Sequence, residues 1–361
     1  MIVKRDSRLD VVQAAKLRIK NIFSNGFPVN MSFSGGKDSL CLAGIIEELI
    51  QAGEIEPSLL TVQFIDEEAI FPCIEDKVKE WRLRFLAMGV KFEWYALEVK
   101  HFSCLNSLEN DESFICWDSR KKDVWIRQPP KFAIRQHPAH RGAKETYQAF
   151  LERRNKGAIT ITGVRVYESV QRLKNIAKKI YKEKLEPLYD WTDKDVWLYL
   201  KKRQIELPLI YLYLFQSGQA ANKLRVSQFF SIDTVGSLVK MNEYYPDLME
   251  RICKREDNAY LVALYWDSEM FGRSTRTRRE IEDKRDYRQL CYEIIRNPRD
   301  KFNTPNKRKV FVDYKKTFVK WEYVFDDRLY KMFYEGLLGG DPKRRTLRAI
   351  ITSAAKKNTE W

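Results

Sequence analysis

Residues 29–53 read VNMSFSGGKDSLCLAGIIEELIQAG. A short apolar run leads directly into two glycines, and from Leu40 onward apolar side chains recur at helical spacing. Apolar runs that are separated by a glycine-rich break are typical of a strand that turns sharply into a helix. The stretch therefore predicts a strand, a glycine loop and a helix in immediate succession.

The loop at residues 34–39 contains residue types that suit phosphate. Adjacent glycines let successive backbone N–H groups turn toward one point, and the helix dipole adds to the attraction. Ser34 and Ser39 supply hydroxyl donors and Lys37 supplies positive charge. The spacing differs from that of a Walker A loop, so γ-phosphate chemistry is not expected. A tight turn with a polar cap is the alternative that these six residues alone leave open.

Strands and helices continue to alternate along the chain. The patterns predict strands at 59–65, 90–97 and 158–162, and helices at 8–25, 74–88 and 145–155. Such alternation predicts an α/β fold with a doubly wound, mainly parallel sheet. Ligands of these sheets lie beyond the carboxyl ends of the strands. We therefore expect residues 34–39, 66–72 and 163–172 to converge on one crevice.

The sequence changes character near residue 185. Helices rich in Tyr, Trp and Leu follow, the first with Thr192 as a cap and Asp195 at the favourable third position. The length of 361 residues is typical of two domains. We expect an α/β domain at residues 1–185 and a helical, basic region at 186–361.

The charge is concentrated in two regions. The chain has 65 Lys and Arg against 50 Asp and Glu, a net charge of +15, of which residues 271–361 contribute +11. The segment from Arg120 to Lys144 has eight basic residues and one acidic residue. Such regions favour a polyanionic partner, either a nucleic acid or a phosphate-rich substrate, and ordinary solvated surface is the alternative.

The spacing of the cysteines and the hydropathy of the chain restrict the classes of protein to which it can belong. Six widely spaced cysteines, without a CxxC pair and with only three histidines, predict reduced thiols and no zinc site. No apolar stretch reaches the length of a membrane span, and the N-terminus has charges where a signal peptide needs apolar residues. We expect a cytoplasmic protein without a membrane partner.

The loop SGGKDS resembles the pyrophosphate loop (PP-loop) of the ATP pyrophosphatase superfamily, whose signature is SGGxDS. Three further blocks are similar to phosphoadenosine phosphosulfate (PAPS) reductases. They are IDEEAIFP at 65–72, similar to D-T-G-x-x-F-P-E-T; GVRVYESVQR at 163–172, similar to G-x-R-x-x-E-S-x-x-R; and PLYDWT at 187–192 with DVW at 195–197, similar to P-x-x-D-W-T-x-x-D-V-W. The resemblance implies an adenine nucleotide alpha-hydrolase-like domain that holds ATP or PAPS with Mg²⁺.

The resemblance also implies a set of site residues. Those at the phosphates would be Ser34, Gly35, Gly36, Lys37, Asp38 and Ser39, with Asp66 near the nucleoside and Arg165, Glu168, Ser169 and Arg172 in the third block. Lys37, Asp38 and Arg165 would be catalytic. Arginine forks suit phosphate oxygens, and Asp38 with Glu168 would hold Mg²⁺. A surface salt-bridge cluster is the alternative for the third block.

The sequence departs from the reductases at cysteine. The E-C-G-x-H motif that carries their nucleophile is absent, and Cys291 lies in RQLCYEI without a Gly-His neighbour. Because the cysteine pairs that bind a cluster in iron–sulfur relatives are also missing, we expect no iron–sulfur cluster. Cys73 stands where the family has Glu, and a redox role for it stays open.

Residues 116–142 and the stretch GQAANKLRVSQF at 218–229 resemble a less characterised branch of the family. In that branch, which includes the immunoglobulin-binding regulator A type, a prophage-encoded protein has an extra C-terminal domain and a ParB-like partner. Three functions remain open. They are an ATP pyrophosphatase or adenylyl transferase acting on or with nucleic acid, a PAPS-binding transferase, and a DNA-associated regulator or defence component that uses the nucleotide site as a sensor.

Overall fold

The computed structural model describes residues 9–105, 113–168, 184–219, 224–226, 229–230, 242–265, 286–298, 302–341 and 343–359. Two of the predicted site residues, Ser169 and Arg172, lie outside the described residues. The backbone of Glu168 ends a short 3-10 turn, Val166–Glu168.

The strands follow the predicted order. They are β1 (Val29–Ser32), β2 (Leu60–Ile65), β3 (Lys91–Tyr95), β4 (Val99–Phe102), β5 (Ser113–Cys116), β6 (Ile159–Ile161) and β7 (Lys184–Leu185). Five of them form one sheet in the order β3-β2-β1-β6-β7, with every neighbouring pair parallel. The doubly wound α/β fold is confirmed. A separate antiparallel pair, β4 and β5, was not predicted.

The strand order places a switch point beside β1. The chain winds from β1 through β2 to β3 in one direction and then returns to β6 on the other side of β1. In register, Val29 lies between Leu60 and Ile159. Connections that leave neighbouring strands in opposite directions open a crevice at the carboxyl ends of those strands. Here the crevice lies beyond β1 and β6.

Helices flank this sheet. They are α1 (Val11–Phe23), α2 (Lys37–Gln51), α3 (Pro72–Ala87), α4 (Tyr147–Arg154), α5 (Asp193–Lys202), α6 (Ile210–Gln216), α7 (Pro246–Arg255) and α8 (Ala259–Leu264). The predicted cap of α5 is confirmed, because Thr192 and Asp195 form a reciprocal capping box. α2 is buried on nearly all sides, with Leu40, Ile45 and Leu49 inaccessible to solvent. This burial explains its almost continuous apolar sequence. None of the helices in the described ranges has the length and hydropathy of a bilayer-spanning helix.

The described residues form two compact units that divide after Leu264, whereas the sequence predicts a change near 185. The helices α5 and α6 belong to the first unit because they pack on the glycine loop and α2. The Cys41 thiol, for instance, donates to the carbonyl of Val196, and the Tyr199 hydroxyl donates to Glu48 at 2.6 Å. The change of composition near residue 185 therefore lies about 80 residues before the boundary between the two compact units.

The second unit is helical, as predicted for the C-terminal region. It contains α9 (Tyr287–Arg296), α10 (Pro305–Trp321), α11 (Asp327–Leu338) and α12 (Arg345–Thr359). Its core includes Tyr314, Phe318 and Phe333, and the ring of Phe333 contacts the rings of the other two. Burial of these large aromatic side chains is the main source of stability for a helical unit of this size.

Two glycines permit the close packing around α2. Gly35 has φ +71°, and a Cβ there would lie 2.8 Å from Cγ2 of Val78 on α3. At Gly163, a Cβ would lie 2.8 Å from the carbonyl oxygen of Asp38. Both distances are shorter than any normal contact of a Cβ atom. The loop after β1 and the loop after β6 thus approach α2 and α3 to a degree that only glycine allows.

We expect Gly35→Ala to destabilise the protein more than Gly53→Ala. Gly53 has nearly the same φ, +68°, but no atom lies within 4 Å of its would-be Cβ. Left-handed strain alone should lower the free energy of unfolding by about 1–2 kcal/mol at Gly53. The steric conflict with Val78 should add about 1–3 kcal/mol at Gly35. Urea unfolding of both variants measures the difference, and equal losses would contradict the packing described for the loop.

Candidate functional site

The loop after β1 is closed by its own serines. Oγ of Ser39 donates to the carbonyl oxygen of Gly36 at 2.9 Å, and the Gly36 N–H donates to Oγ of Ser34 at 3.4 Å. The two serine hydroxyl oxygens lie 3.2 Å apart. These bonds hold the backbone of the loop in one conformation at the N-terminus of α2. The structure thus brings the predicted phosphate-binding residues 34–39 together.

The start of α2 is capped from another helix. Gly36 is the N-cap residue and has no side chain to bond the first N–H groups of the helix. The Lys37 N–H donates instead to the hydroxyl of Tyr211 on α6, at 2.8 Å. Tyr211 is buried, and burial raises the pKa of its hydroxyl, which therefore stays protonated at neutral pH. Sequence reasoning missed this residue, because a tyrosine within the apolar stretch IYLYLFQ gives no sign of such a contact.

Three of the predicted site residues form a chain of ion pairs. Nζ of Lys37 lies 3.0 Å from Oδ2 of Asp38, and Nε of Arg165 lies 2.6 Å from Oδ1 of the same carboxylate. Arg165 also pairs with Asp193 at 2.9 Å. The Arg165 side chain is only 1% exposed, and its partner Asp38, not Arg165 itself, belongs to the lining of the crevice. A direct phosphate contact by Arg165 stays a prediction.

A cavity of about 410 Å³ lies at the crevice. This volume is within the range of small-molecule sites. Its polar lining includes Ser34, Gly36, Asp38, Ser39, Glu67, Thr162, Lys184, Tyr211 and Arg225. Its apolar lining includes Phe33, Phe64, Ile65, Ile70, Phe71, Ile74, Val164, Val226 and Phe229. The loops after β1, β2 and β6 all contribute, so the predicted convergence is confirmed for the described parts of the three segments.

The two cations that line the cavity were not among the predicted site residues. Lys184 lies on β7, and Arg225 lies in the short described stretch 224–226. Both side chains are exposed. No local motif marks either of them, because β7 and residue 225 reach the cavity only through the tertiary fold. They are better placed than Arg165 to contact an anionic ligand in this arrangement.

Asp66 does not line the cavity. Its carboxylate is fully buried, where it accepts hydrogen bonds from the indole of Trp94 at 2.7 Å and from the Glu68 N–H at 3.1 Å, and it pairs with Arg127. Burial raises the pKa of Asp66 despite the opposing effects of Arg127 and Trp94. In this structure Asp66 organises the loop after β2, and the role near the nucleoside implied by the resemblance stays a prediction. The neighbouring Glu67 lines the cavity instead.

Glu67 is paired with a histidine from β4. Nε2 of His101 lies 3.2 Å from a carboxylate oxygen of Glu67. Burial lowers the pKa of His101, but the hydrogen bond and the charge of Glu67 outweigh it, so the pKa lies above its usual value. The pair places a protonatable group next to the cavity. Sequence reasoning missed it, since the β4–β5 pair that positions His101 was not predicted.

The described residues do not form an evident Mg²⁺ site. Both carboxylate oxygens of Asp38 are already paired with cations, Lys37 and Arg165. The side chain of Glu168, the other predicted ligand, lies outside what the structure describes. In the described part of the chain, no group of three or more His, Cys, Asp or Glu side chains is placed to hold a metal ion. We therefore derive no step through Mg²⁺.

Four of the six cysteines have environments that disfavour the thiolate. Cys41 and Cys116 are inaccessible in the first unit, and burial raises the pKa of both. Burial also raises the pKa of Cys73. Cys291 lies in the core of the second unit, where burial raises its pKa to about 12. A thiol is an effective nucleophile only as the thiolate, so these environments do not activate sulfur.

Fold and site together define an α/β protein with a phosphate-type glycine loop at the switch point of a parallel sheet. The model of the phosphoadenosine phosphosulfate reductase domain matches residues 28–237, and the chain belongs to that nucleotide-binding family. The matched region includes the glycine loop, β6, Tyr211 and Arg225. It ends well before the second compact unit.

Two individual proteins are also similar to this chain. "Uncharacterized protein YbdN" of Escherichia coli (strain K12) is 25% identical over 308 residues, which span 77% of this chain and 74% of that protein. The structure of the U34-tRNA thiolase NcsA from Methanococcus maripaludis with its [4Fe-4S] cluster has 12% sequence identity and a TM-score of 0.31. It is matched over 70% of this chain and 79% of that chain.

The second of these comparisons corrects one expectation. From the spacing of its cysteines, the chain was expected to have no iron–sulfur cluster. That prediction is wrong as an exclusion, because a protein to which this chain is similar contains a [4Fe-4S] cluster.

We expect Tyr211→Phe to lower the free energy of unfolding by about 1–2 kcal/mol. The substitution keeps the ring but leaves the buried Lys37 N–H without its acceptor, which has a cost of this size. Tyr213→Phe, on the same helix, is the matched control. Its ring is stacked on Tyr244, and this contact persists without the hydroxyl, so we expect a change below about 0.5 kcal/mol. Urea unfolding compares the two, and similar values would show that the cap does not stabilise the loop.

We expect the His101–Glu67 pair to make stability depend on pH. The folded-state pKa of His101 is raised, so its contribution is fully present below the unfolded pKa of about 6.5 and is lost as the pH rises through the folded pKa. The difference in unfolding free energy between wild type and His101→Gln should therefore fall by about 0.5–1 kcal/mol between pH 6 and pH 9.

His137→Gln provides a control of opposite sign. Burial lowers the pKa of His137, so wild type should lose stability relative to this variant as the pH falls below about 6.5. The same unfolding series measures both effects. A trend of equal sign in the two variants would contradict the assignment of the Glu67 interaction.

Proposed function

We propose that the chain binds ATP in the cavity at the switch point and catalyses attack of an acceptor oxygen on the α-phosphate, with pyrophosphate as the leaving group. The observation that carries this proposal is the joint lining of one cavity by the closed glycine loop and by a wall of apolar side chains. A nucleotide needs both surfaces, since its phosphates require N–H donors and cations and its base requires an apolar slot.

The phosphate end of the cavity is the loop at residues 34–39. Its backbone N–H groups lie at the positive end of the dipole of α2. Lys184 and Arg225 supply cationic side chains at the lining, and Lys37 is immediately behind it, paired with Asp38. These groups would bind the β- and γ-phosphates and take up the charge of the departing pyrophosphate.

The apolar end of the cavity suits an adenine ring. Phe71 and Phe229 contact each other with ring centroids 4.8 Å apart, and Ile70 and Val226 lie on the same lining. An aromatic and aliphatic wall recognises a flat base by stacking and burial. Such a wall makes no favourable contact with an isolated phosphate or sulfate ion. Its presence therefore favours a nucleotide over an inorganic anion as the ligand.

In the proposed reaction, the acceptor oxygen forms a bond to the α-phosphorus and the bond from that phosphorus to the bridging oxygen breaks. The bridging oxygen leaves with the β- and γ-phosphates as pyrophosphate, and the acceptor loses its proton. Glu67, paired with His101, is the carboxylate of the lining that is positioned to receive a proton. The adenylylated acceptor is the product. The fixed loop supplies orientation, which is a large part of the catalytic effect.

A PAPS-binding transferase is the second candidate, and the family match favours it. Phosphoadenosine phosphosulfate also combines an adenine with anionic groups, so the same cavity would receive it. Reduction of the sulfonucleotide is less well supported, because Cys291 is buried in the second unit with a raised pKa. A transferase needs no sulfur nucleophile. The reaction proposed for this second candidate is therefore sulfate transfer from PAPS.

We expect the purified protein to convert α-labelled ATP to AMP or to an adenylylated acceptor when Mg²⁺ and nucleic acid are supplied. Gly36→Val should abolish nucleotide binding, because a Cβ at Gly36 already lies 3.2 Å from the Tyr211 hydroxyl and the valine methyls would fill the phosphate position. Lys37→Met should lower turnover by about 100-fold, through the loss of a cation at the developing charge. Separation of the labelled products measures both effects.

The matched control is Lys20→Met. It removes the same charge from α1, where Lys20 pairs with Glu54, and it should leave turnover unchanged. Nucleotide binding without turnover would show that the protein acts as a nucleotide sensor and not as an enzyme. Sulfate transfer from labelled PAPS with intact ATP would select the second candidate. Binding of ATP that survives Gly36→Val in a folded protein would refute the site.

A further inference from the structure

One face of α10, in the second unit, presents a row of cations. Arg308, Lys309, Lys315, Lys316 and Lys320 are all exposed. We call these five residues the basic face. At 3.6 residues per turn they occupy an arc of about 140° on the helix and extend about 18 Å along its axis. Such a regular arrangement is a surface of one sign and not a scatter of charges.

The basic face has no carboxylate partner among the described residues. The only acidic residue of α10, Asp313, lies beside this arc and is paired with Arg344 at 2.8 Å. Other cations of the unit have similar partners, for example Lys357 with Asp326. An unneutralised row of five cations repels itself, which lowers stability unless an anionic partner binds.

The face is not purely hydrophilic. Val312 and Val319 lie between the cations and are 46% and 75% exposed. A surface that is merely solvated does not require exposed apolar residues in register with the cations. Their presence favours a macromolecular partner that covers both the charges and the intervening apolar groups.

The opposite side of α10 argues against a membrane as the partner of the basic face. Val310, Tyr314 and Phe318 are buried in the core of the second unit. A helix that lies in a bilayer interface must insert its apolar side into the lipid. Here that side is already occupied by α11 and α12, and Val312 and Val319 are the exposed apolar residues that α10 leaves between its cations.

The other basic segment of the chain is organised differently. In residues 120–144, Arg120 pairs with Asp118 and Arg127 pairs with Asp66 and Glu75. The guanidinium of Arg135 lies against the rings of Trp117 and Trp125. Much of that charge is used within the fold. The basic face of α10 is therefore the stronger candidate for binding an external polyanion.

We propose that the basic face of α10 binds the sugar–phosphate backbone of a nucleic acid. Its length of about 18 Å corresponds to about five successive phosphates of one duplex strand. Lysine and arginine contacts of this type give affinity without base specificity. The face lies outside residues 28–237, so the proposal is independent of the nucleotide site and adds a second binding surface to the chain.

The test uses the full chain and a triple variant, Lys309→Gln with Lys316→Gln and Lys320→Gln. Fluorescence anisotropy with a labelled 30-base-pair DNA duplex, and with RNA of the same sequence, measures affinity between 50 and 200 mM salt. Affinity falls as salt rises, so a plot of log affinity against log salt has a negative slope. Loss of three phosphate contacts should make this slope about 3 less steep and should weaken binding at least about tenfold near 0.1 M salt. The order of affinity for DNA and RNA identifies the natural class.

The control is Lys20→Gln with Lys79→Gln and Lys254→Gln, which removes the same total charge from lysines paired with carboxylates. If this control keeps the wild-type salt slope and affinity while the triple variant loses both, the result would support the proposal. An equal loss in both variants would show only an effect of net charge and would overturn it. Binding to vesicles of phosphatidylserine, lost in the triple variant while nucleic acid does not bind, would also overturn it in favour of a membrane surface.

Discussion

The turn from β1 into α2 is the constraint on which the site depends. It requires a left-handed backbone at Gly35, with Val78 too close for any side chain, and the loop after β6 comes equally close at Gly163. These two close approaches, to a side chain of α3 at Gly35 and to the backbone of α2 at Gly163, hold the loops after β1 and β6 beside the N-terminus of α2. The cap from Tyr211 then fixes α6 against the same turn. The loop geometry and part of the cavity lining depend on this compact connection.

The ion pairs around Asp38 extend this connection into the later part of the chain. Arg165 follows β6, and Asp193 begins α5, so a single buried guanidinium joins three segments that are far apart in sequence. A cation with so little exposure is stable only when it is paired and hydrogen-bonded. Arg165, in the third family block, therefore has a structural role in this protein. It pairs with the carboxylate of Asp38 in the loop, whereas Lys184 and Arg225 line the cavity.

The sequence was sufficient for the parts of the fold that depend on local patterns. The apolar runs predicted the strands of the parallel sheet, and the pair Thr192 and Asp195 predicted the start of α5, because caps and periodicity are properties of neighbouring residues. The phosphate loop was predictable for the same reason. Tyr211 and His101 were not, since each reaches the site from an element whose placement depends on tertiary packing.

The charges that line the cavity have one further consequence for its chemistry. Among the described residues of the lining, the carboxylates of Asp38 and Glu67 are matched in number by the cations Lys184 and Arg225. Asp38 is in addition paired with Lys37 and Arg165, and Glu67 with His101, so both carboxylates are already engaged by cations of the protein. A nucleotide bound as proposed would compete for these cations, and Lys37 would move from its carboxylate to a phosphate. Under this proposal, the affinity for the nucleotide depends on the ionic composition of the solution.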